Sequence, residues 1–250
     1  MRLIIVRHGD PDYELDSLTE TGRREAQLAA EALSKLDVKA FYTSPLGRAK
    51  VTAGYTLTRM KRTAEELPWL REFSPPWIVY PGEDLPEKLR KQHVPWDWIP
   101  SDWTKEARFY DRDAWMEVPT FQEGKVGESY AWVCRGFDDL LARHGYEREG
   151  DSPIYRAVSP NRDTIVLFAH FGVECVLLSH LIGVSPMVLW HGFCAAPTSM
   201  TTIYTEERRK GQAVFRIQSF GDIGHLISAG TEPSFAARFR ETYDAGERKD

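Results

Sequence analysis

Two short apolar runs mark the chain, one at residues 3–6 and one within residues 163–169. Both runs are rich in β-branched side chains, a pattern typical of strands that are buried on both faces. Residues 39–43 have a similar character and are predicted as a further strand. The pattern therefore predicts a sheet that is covered on both of its faces.

The segments between these strands have the spacing of helices. One apolar face is formed by Ala26, Ala29, Ala30 and Leu33, which lie three or four residues apart. A second helix is predicted over 44–60, with Ser44 as its N-cap, and further helices are predicted over 127–145 and 173–183. Because strands alternate with helices, we expect an α/β fold, a three-layer α/β/α sandwich with a mostly parallel central sheet.

The last third of the chain departs from this alternation. Residues 199–204 and 213–218 alternate between apolar and polar positions and are predicted as a pair of strands. Residues 146–162 are predicted as a polar loop, and 233–243 as a terminal helix. With neither an internal repeat nor an interdomain linker in the sequence, residues 1–250 are interpreted as one domain.

Residues 74–126 have no regular period and are predicted to form an aromatic-rich insertion, or cap, within that domain. This segment contains five of the eight tryptophans and seven of the fifteen prolines. So many aromatic residues argue against disorder, and a structureless loop of this length in a compact domain is usually functional. Two interpretations remain open, a lid over a substrate site and a packing surface or dimer interface.

Composition excludes several classes of protein. A formal net charge of -5 over 250 residues gives no basic surface for nucleic acid. No apolar run approaches the roughly 20 residues that cross a membrane, and the N-terminus does not have the pattern of a signal peptide. The three cysteines have no paired spacing, which argues against disulfides and zinc. A cytoplasmic protein without a membrane or nucleic-acid partner is expected.

Candidate chemistry lies where the predicted strands end. Arg7 and His8 follow the first strand, His170 follows the strand at 163–169, and Arg48 lies just after the strand at 39–43. Ligands of open α/β sheets bind at the carboxyl ends of the strands, so these side chains are expected to converge there. Two guanidiniums suit the oxygens of a phosphoryl group, and a neutral imidazole can attack phosphorus.

The sequence contains no Walker-type loop, no dinucleotide fingerprint and no cluster with metal-ligand spacing. A phosphoryl site without a metal must take its positive charge from side chains, and Arg7 and Arg48 can supply it. The prediction is therefore a site that uses neither a metal ion nor a cofactor.

Seven segments, taken together, resemble those of a known family. They are residues 3–9, 18–22, 43–49, 70–72, 127–129, 169–172 and 222–226. In this order, and over most of the chain outside the insertion, they are similar to the histidine phosphatase superfamily, also called phosphoglycerate-mutase-like. An ordered set of this kind is far more specific than any one of its members.

The resemblance implies a role for each site residue. His8 would be the nucleophile that becomes phosphohistidine, and Arg7, Arg48 and His170 would hold the phosphoryl oxygens. Glu72 would be the general acid and base, although the Gly-Trp-Glu-type stretch that follows this position in the family is replaced by Ser-Pro-Pro-Trp at 74–77. Glu83 and Asp84 are the alternative acids.

Three functions remain to be compared. The segment between Gly9 and Leu18 is shorter than in the cofactor-dependent mutases of the family, which favours a phosphatase acting on a small-molecule phosphomonoester. A phosphoglycerate-type mutase is the first alternative, and a phospho-ligand-binding protein without turnover is the second. The sequence identifies neither the substrate nor the oligomeric state, and a homodimer is left open.

Overall fold

A computed structural model describes residues 1–75, 78–79, 91–92, 94–96, 98 and 100–234. Its strands are β1 (Arg2–Arg7), β2 (Pro11–Asp12), β3 (Ser17–Leu18), β4 (Ala40–Thr43), β5 (Glu65–Glu66), β6 (Ile78–Val79), β7 (Lys91–Gln92), β8 (Tyr146–Arg148), β9 (Tyr155–Ala157), β10 (Thr164–Ala169), β11 (Met200–Arg209) and β12 (Gln212–Asp222). Its helices are α1 (Glu20–Leu33), α2 (Gly47–Met60), α3 (Pro100–Trp103), α4 (Pro119–Glu123), α5 (Val126–Arg143), α6 (Phe171–Ile182), α7 (Pro186–Gly192) and α8 (Gly224–Ser228).

The central sheet has two halves. Its order is β5-β4-β10-β1-β11-β12-β9-β8. The first four strands are parallel to one another, and the remaining four continue the sheet with antiparallel pairings. The predicted α/β class and parallel core are confirmed, and the sheet as a whole is mixed because the C-terminal half of the chain adds two antiparallel hairpins, β8–β9 and β11–β12.

The alternation of side chains along β1 explains the layers. Ile4 and Val6 pack with Leu33 and Ala53 of helices α1 and α2 on one face. Leu3 and Ile5 pack on the other face, in the larger cluster that also contains residues of α5, α6 and α7. Since successive side chains of a strand point to opposite faces, one short apolar run supplies both cores. The predicted three-layer arrangement follows from this.

Two local predictions were wrong. Residues 146–162 contain the short strands β8 and β9 instead of a continuous loop, because β9 pairs with β12, β8 pairs with β9, and Tyr146 and Tyr155 are buried in the core. The helix predicted from an N-cap at Ser44 begins at Gly47, and its N-cap residue is Leu46. The hydroxyl of Ser44 has a different partner, which is described with the site.

Much of the predicted insertion is part of the main core. Trp98, Phe109, Trp115 and Phe121 are buried and belong to the larger core cluster. Trp115 also stacks edge-to-face on Trp190 of α7, with ring centroids 5.7 Å apart. This part of the segment therefore packs against the sheet domain.

Some predictions fall on residues that the structure does not describe. Trp77, Glu83 and Asp84 lie outside the described residues, as does most of the helix predicted over 233–243. None of the described helices is both long and apolar enough to cross a membrane.

Candidate active site

The register of the parallel strands places the two histidines side by side. Arg7 pairs with Ala169 across β1 and β10, so His8 and His170 leave the sheet at the same edge. Their ring centroids are 5.1 Å apart, with an angle of 55° between the rings. This edge is the carboxyl end of the parallel strands, where the sequence predicted the site.

His8 is buried, with 2% of its surface exposed, and its tautomer is fixed. Its Nδ1 lies 2.7 Å from the carbonyl oxygen of Gly9. Because a carbonyl oxygen can only accept, Nδ1 carries the proton and Nε2 keeps its lone pair. Burial, together with the charges of Arg7 and Arg48, holds the pKa of His8 well below its ordinary value, so the ring is neutral.

Close packing holds the loop that carries His8. A Cβ atom on Gly9 would lie 2.6 Å from the carbonyl oxygen of Gly22 in α1. A larger residue at position 9 would therefore require the backbone to move. The N–H of Gly9 donates to the hydroxyl of Thr52 in α2 at 3.0 Å. Helices α1 and α2 therefore position the backbone next to the imidazole of His8.

His170 is completely buried and is held by Ser44. The Ser44 hydroxyl lies 2.7 Å from His170 Nε2 and accepts a hydrogen bond from the N–H of Leu46 at 3.2 Å. The other ring nitrogen, Nδ1, is buried and has no hydrogen-bond partner among the described residues. Burial, His8 and the two arginines hold the pKa of His170 well below its ordinary value.

The two arginines reach the site from different elements. Arg7, the last residue of β1, is buried and donates from one terminal nitrogen to the carbonyl oxygen of Ala195. Arg48, in the first turn of α2, donates to Asp16 Oδ1 at 2.8 Å. The Nε of each arginine is buried and has no partner among the residues that the structure describes. Both guanidiniums are therefore fixed in place and retain N–H groups for an anion.

Asp16 removes an electrostatic conflict at the start of α2. Its second carboxylate oxygen accepts from the N–H of Gly47 at 2.6 Å. Although burial would raise the pKa of Asp16, the hydrogen bonds from Gly47 and Arg48 outweigh it and lower that pKa. One ionised carboxylate thus satisfies the helix N-terminus and orients the cation in its first turn.

Glu72 lies against the N-terminus of α6. Its Oε1 accepts from the N–H groups of Phe73 at 2.7 Å and Val173 at 3.0 Å, and its Oε2 accepts from Gly172 at 3.3 Å. Burial raises the pKa of Glu72, against the lowering effect of these hydrogen bonds and of Arg48. The carboxyl group is therefore held rigidly and retains its proton to a higher pH than an ordinary glutamate.

Four of these side chains line one cavity of about 370 Å³, namely Arg7, His8, Arg48 and Glu72. His170 lies behind His8, in ring contact with it. Ser74, Val94 and Trp96, from the predicted insertion, complete part of the wall. The structure thus brings all five predicted site residues to one place. The arrangement can bind a phosphoryl group and places beside it a neutral imidazole and a carboxyl group whose pKa is raised.

The sequence did not indicate three residues that organise this site. Ser44 orients His170, Asp16 orients Arg48, and the Ala195 carbonyl holds Arg7. The position of Ser44 in the sequence was a usable signal for a site residue, because this serine directly follows the predicted strand at 39–43. That strand neighbours the strand that ends at His170. Asp16, in a polar link, and a backbone carbonyl carry no such signal. Among the described residues, no group of three His, Cys, Asp or Glu side chains is placed to hold a metal ion.

Comparison with known proteins gives a family match. The family model described as histidine phosphatase superfamily (branch 1) matches residues 3–217. Phosphoserine phosphatase 1 of Hydrogenobacter thermophilus is 25% identical over 222 residues, which cover 84% of this chain and 89% of that protein. A 2,3-bisphosphoglycerate-dependent phosphoglycerate mutase of Thermoplasma acidophilum is 40% identical over 60 residues, 20% of this chain and 30% of that protein.

Solved structures share the fold. A phosphoserine phosphatase mutant from Entamoeba histolytica, in complex with phosphoserine, has a TM-score of 0.58 at 19% identity and covers 90% of this chain and 98% of its own. A mycobacterial glucosyl-3-phosphoglycerate phosphatase has a TM-score of 0.53 at 21% identity, with 88% and 98% covered.

Proposed function

Because the chain belongs to the histidine phosphatase superfamily, we propose that it hydrolyses a small-molecule phosphomonoester through a phosphohistidine formed on His8. The observation that carries the proposal is the fixed tautomer of His8, which leaves Nε2 unprotonated in a cavity that two guanidiniums also line. Such an imidazole is a nucleophile at neutral pH and needs no separate base.

In the first step, the Nε2 lone pair of His8 forms a bond to phosphorus while the ester P–O bond breaks. Arg7, Arg48 and His170 donate to the phosphoryl oxygens and stabilise the charge that develops on them. Glu72 gives its proton to the leaving oxygen, which becomes the free alcohol. The raised pKa of Glu72 suits this role, because the carboxyl must still carry its proton near neutral pH.

In the second step, water attacks the phosphorus of phosphohistidine. The Glu72 carboxylate takes a proton from that water, the N–P bond breaks, and inorganic phosphate leaves with His8 restored. The same carboxyl thus acts first as acid and then as base. Its three backbone hydrogen bonds keep it in one position for both steps.

A mutase is the second candidate, and the short match to a phosphoglycerate mutase favours it. A mutase would return the phosphoryl group from His8 to another hydroxyl instead of to water. The two functions share the first step, so they differ in the product. Release of inorganic phosphate supports hydrolysis, and an isomeric phosphate ester supports transfer.

The role of Glu72 is tested with two substrates whose leaving groups differ. Glu72→Gln should lower kcat on an alkyl phosphate by about 10²–10⁴-fold, the usual contribution of general acid catalysis. The loss on p-nitrophenyl phosphate should be much smaller, because that leaving group needs little protonation. Equal losses on both substrates would assign the acid to another carboxylate, such as Glu83 or Asp84.

His8→Ala should lower turnover of both substrates by several orders of magnitude, since it removes the nucleophile. Mass spectrometry of the quenched wild-type reaction should find phosphate on His8. Phosphate binding without release of any product, in the wild-type protein, would instead support a phospho-ligand-binding protein.

A further inference from the structure

The active-site cavity has a charged part and an uncharged part. The charged part consists of Arg7, Arg48 and Glu72, with His8 between them. The other described residues that line the cavity are uncharged, and three of them are the aromatic residues Tyr13, Trp96 and Phe171. Once a phosphoryl group occupies the two guanidiniums, the remaining space is bounded mainly by rings and small apolar side chains.

Trp96 lies directly beside the acid. A Cβ atom on Gly172 would lie 2.3 Å from Cζ3 of Trp96 and 2.7 Å from Oε1 of Glu72. The indole therefore rests on the backbone at the start of α6, next to the carboxyl group. In the proposed reaction, the leaving oxygen takes its proton from Glu72, so the carbon skeleton attached to that oxygen begins next to Trp96.

The position of Trp96 is supported from behind. Its ring lies 6.1 Å from the ring of Trp190 in α7. The indole N–H of Trp190 donates to the carbonyl oxygen of Gly172 at 3.0 Å, and Trp190 itself is fully buried. A ring fixed in this way can bind a flat group with little loss of side-chain freedom.

Tyr13 supplies a second ring at the cavity. The Arg48 guanidinium lies 5.4 Å from the centre of the Tyr13 ring, so this aromatic wall is adjacent to the phosphoryl site. Tyr13 is 58% exposed, and a ligand can therefore cover part of its surface. Aromatic contacts and burial of apolar surface would both favour a substrate that carries a ring or a similar apolar group.

The described wall of the cavity is less suited to a leaving group that carries a carboxylate than to one that carries a ring. Serine and glycerate both carry a carboxylate close to the phosphorylated oxygen, and a buried carboxylate needs a cation or several donors. Among the described residues that line the cavity, the cations are Arg7 and Arg48, which the phosphoryl group already uses. The described wall therefore offers no further cation to such a substrate.

From these contacts we infer that this site prefers phosphomonoesters of alcohols that carry an aromatic or comparably flat apolar group over phosphoserine and phosphoglycerate. The inference rests on the proposed function, and it concerns only which leaving group the cavity accepts. Trp96 and Tyr13 are the specificity-determining residues.

The test compares esters of equal chemical reactivity. Propyl phosphate and 3-phenylpropyl phosphate release primary alcohols of similar acidity, so their ratio of kcat/KM measures binding of the ring. We expect a ratio of about 10 or more in the wild-type protein, and a lower kcat/KM for phosphoserine than for 3-phenylpropyl phosphate. Trp96→Ala should reduce the ratio several-fold, and Trp132→Ala should not change it, because Trp132 is exposed on α5 and does not line the cavity.

Tyr13→Ala keeps the test decisive if Trp96→Ala fails to fold, because Tyr13 is largely exposed. It should also reduce the ratio. Hydrolysis of both alkyl esters at equal kcat/KM, or a preference for phosphoserine, would overturn the inference and leave the proposed function intact. No hydrolysis of any ester, with His8→Ala indistinguishable from wild type, would instead refute the proposed function.

Discussion

Glu174 provides a quantitative test of how burial controls charge beside the site. This residue lies in the first turn of α6 and is 1% exposed, and its Oε1 has no hydrogen-bond partner in the described part of the chain. Burial raises the pKa of Glu174 from 4.5 to about 7, although the Thr201 hydroxyl and Arg7 act in the opposite direction and Glu72 adds to the increase. The carboxyl group is therefore titrated near neutral pH in the folded protein.

The sign of the stability effect follows from the two pKa values. The unfolded chain loses this proton near pH 4.5 and the folded protein near pH 7, so unfolding releases a proton between those values. Stability therefore falls as pH rises through this window, and the effect is complete above pH 7. The difference between 4.5 and about 7 corresponds to about 3 kcal/mol, because each pKa unit is worth about 1.4 kcal/mol.

Glu174→Gln removes this titration. Burying the amide adds a destabilisation of about 1–3 kcal/mol that does not depend on pH. The free energy of unfolding of the variant minus that of the wild type should therefore rise by about 3 kcal/mol from below pH 5 to pH 8. Urea denaturation at several pH values measures the difference. Glu123→Gln, at an exposed carboxylate on α4, is the matched control and should give a flat line.

If the difference in free energy of unfolding between Glu174→Gln and the wild type did not change with pH, the reasoning would be refuted. It would mean that Glu174 has the same pKa in the folded and unfolded states, so burial would not govern its charge. A difference that falls as pH rises would mean that the folded protein stabilises the carboxylate, and Arg7 would then be its effective partner.

Two further substitutions test the support of the site. Ser44→Ala should lower kcat about fivefold, since it removes a hydrogen bond worth about 1 kcal/mol that holds the ring of His170. Steady-state kinetics should show no such loss for Ser34→Ala, at the end of α1. Gly172→Ala should place a methyl group against Trp96 and Glu72 and so lower kcat on an alkyl phosphate more than on p-nitrophenyl phosphate. Gly54→Ala, where no atom of the described residues lies within 4 Å of the added Cβ, should leave both rates unchanged.

The convergence of the histidines could be predicted because it depends on short-range patterns. The apolar runs that form β1 and β10 end at Arg7 and Ala169, and parallel pairing of two such strands brings the following residues together. In α6, by contrast, every residue from Phe171 to Ser179 is buried, so the burial of Val173, Val176 and Leu177 does not depend on their spacing. The apolar runs were sufficient at β1 and β10, since each run is long enough to be recognised.

The failures have a common physical cause, which is that tertiary partners outweighed local preference. Serine is a preferred N-cap residue, but the hydroxyl of Ser44 forms a hydrogen bond with His170, and α2 starts at Gly47 instead. β8 and β9 are three residues each, too short for alternation to be recognised. Glu174 lies in a helix that is otherwise apolar around its first turns, and nothing in the sequence distinguishes it from a solvated glutamate.

The charges in the site link the protonation of the two imidazoles to that of Glu72. Burial and the charges of Arg7 and Arg48 lower the pKa of both imidazoles, and Arg48 also acts against the effect of burial on the pKa of Glu72. In the mechanism proposed above, the neutral His8 is the nucleophile, and a bound phosphoryl dianion would offset the charge of the same arginines and so raise the pKa of Glu72 when the acid is needed. Substrate binding would then favour the protonated carboxyl, while the Gly9 carbonyl keeps the proton of His8 on Nδ1 and leaves Nε2 unprotonated.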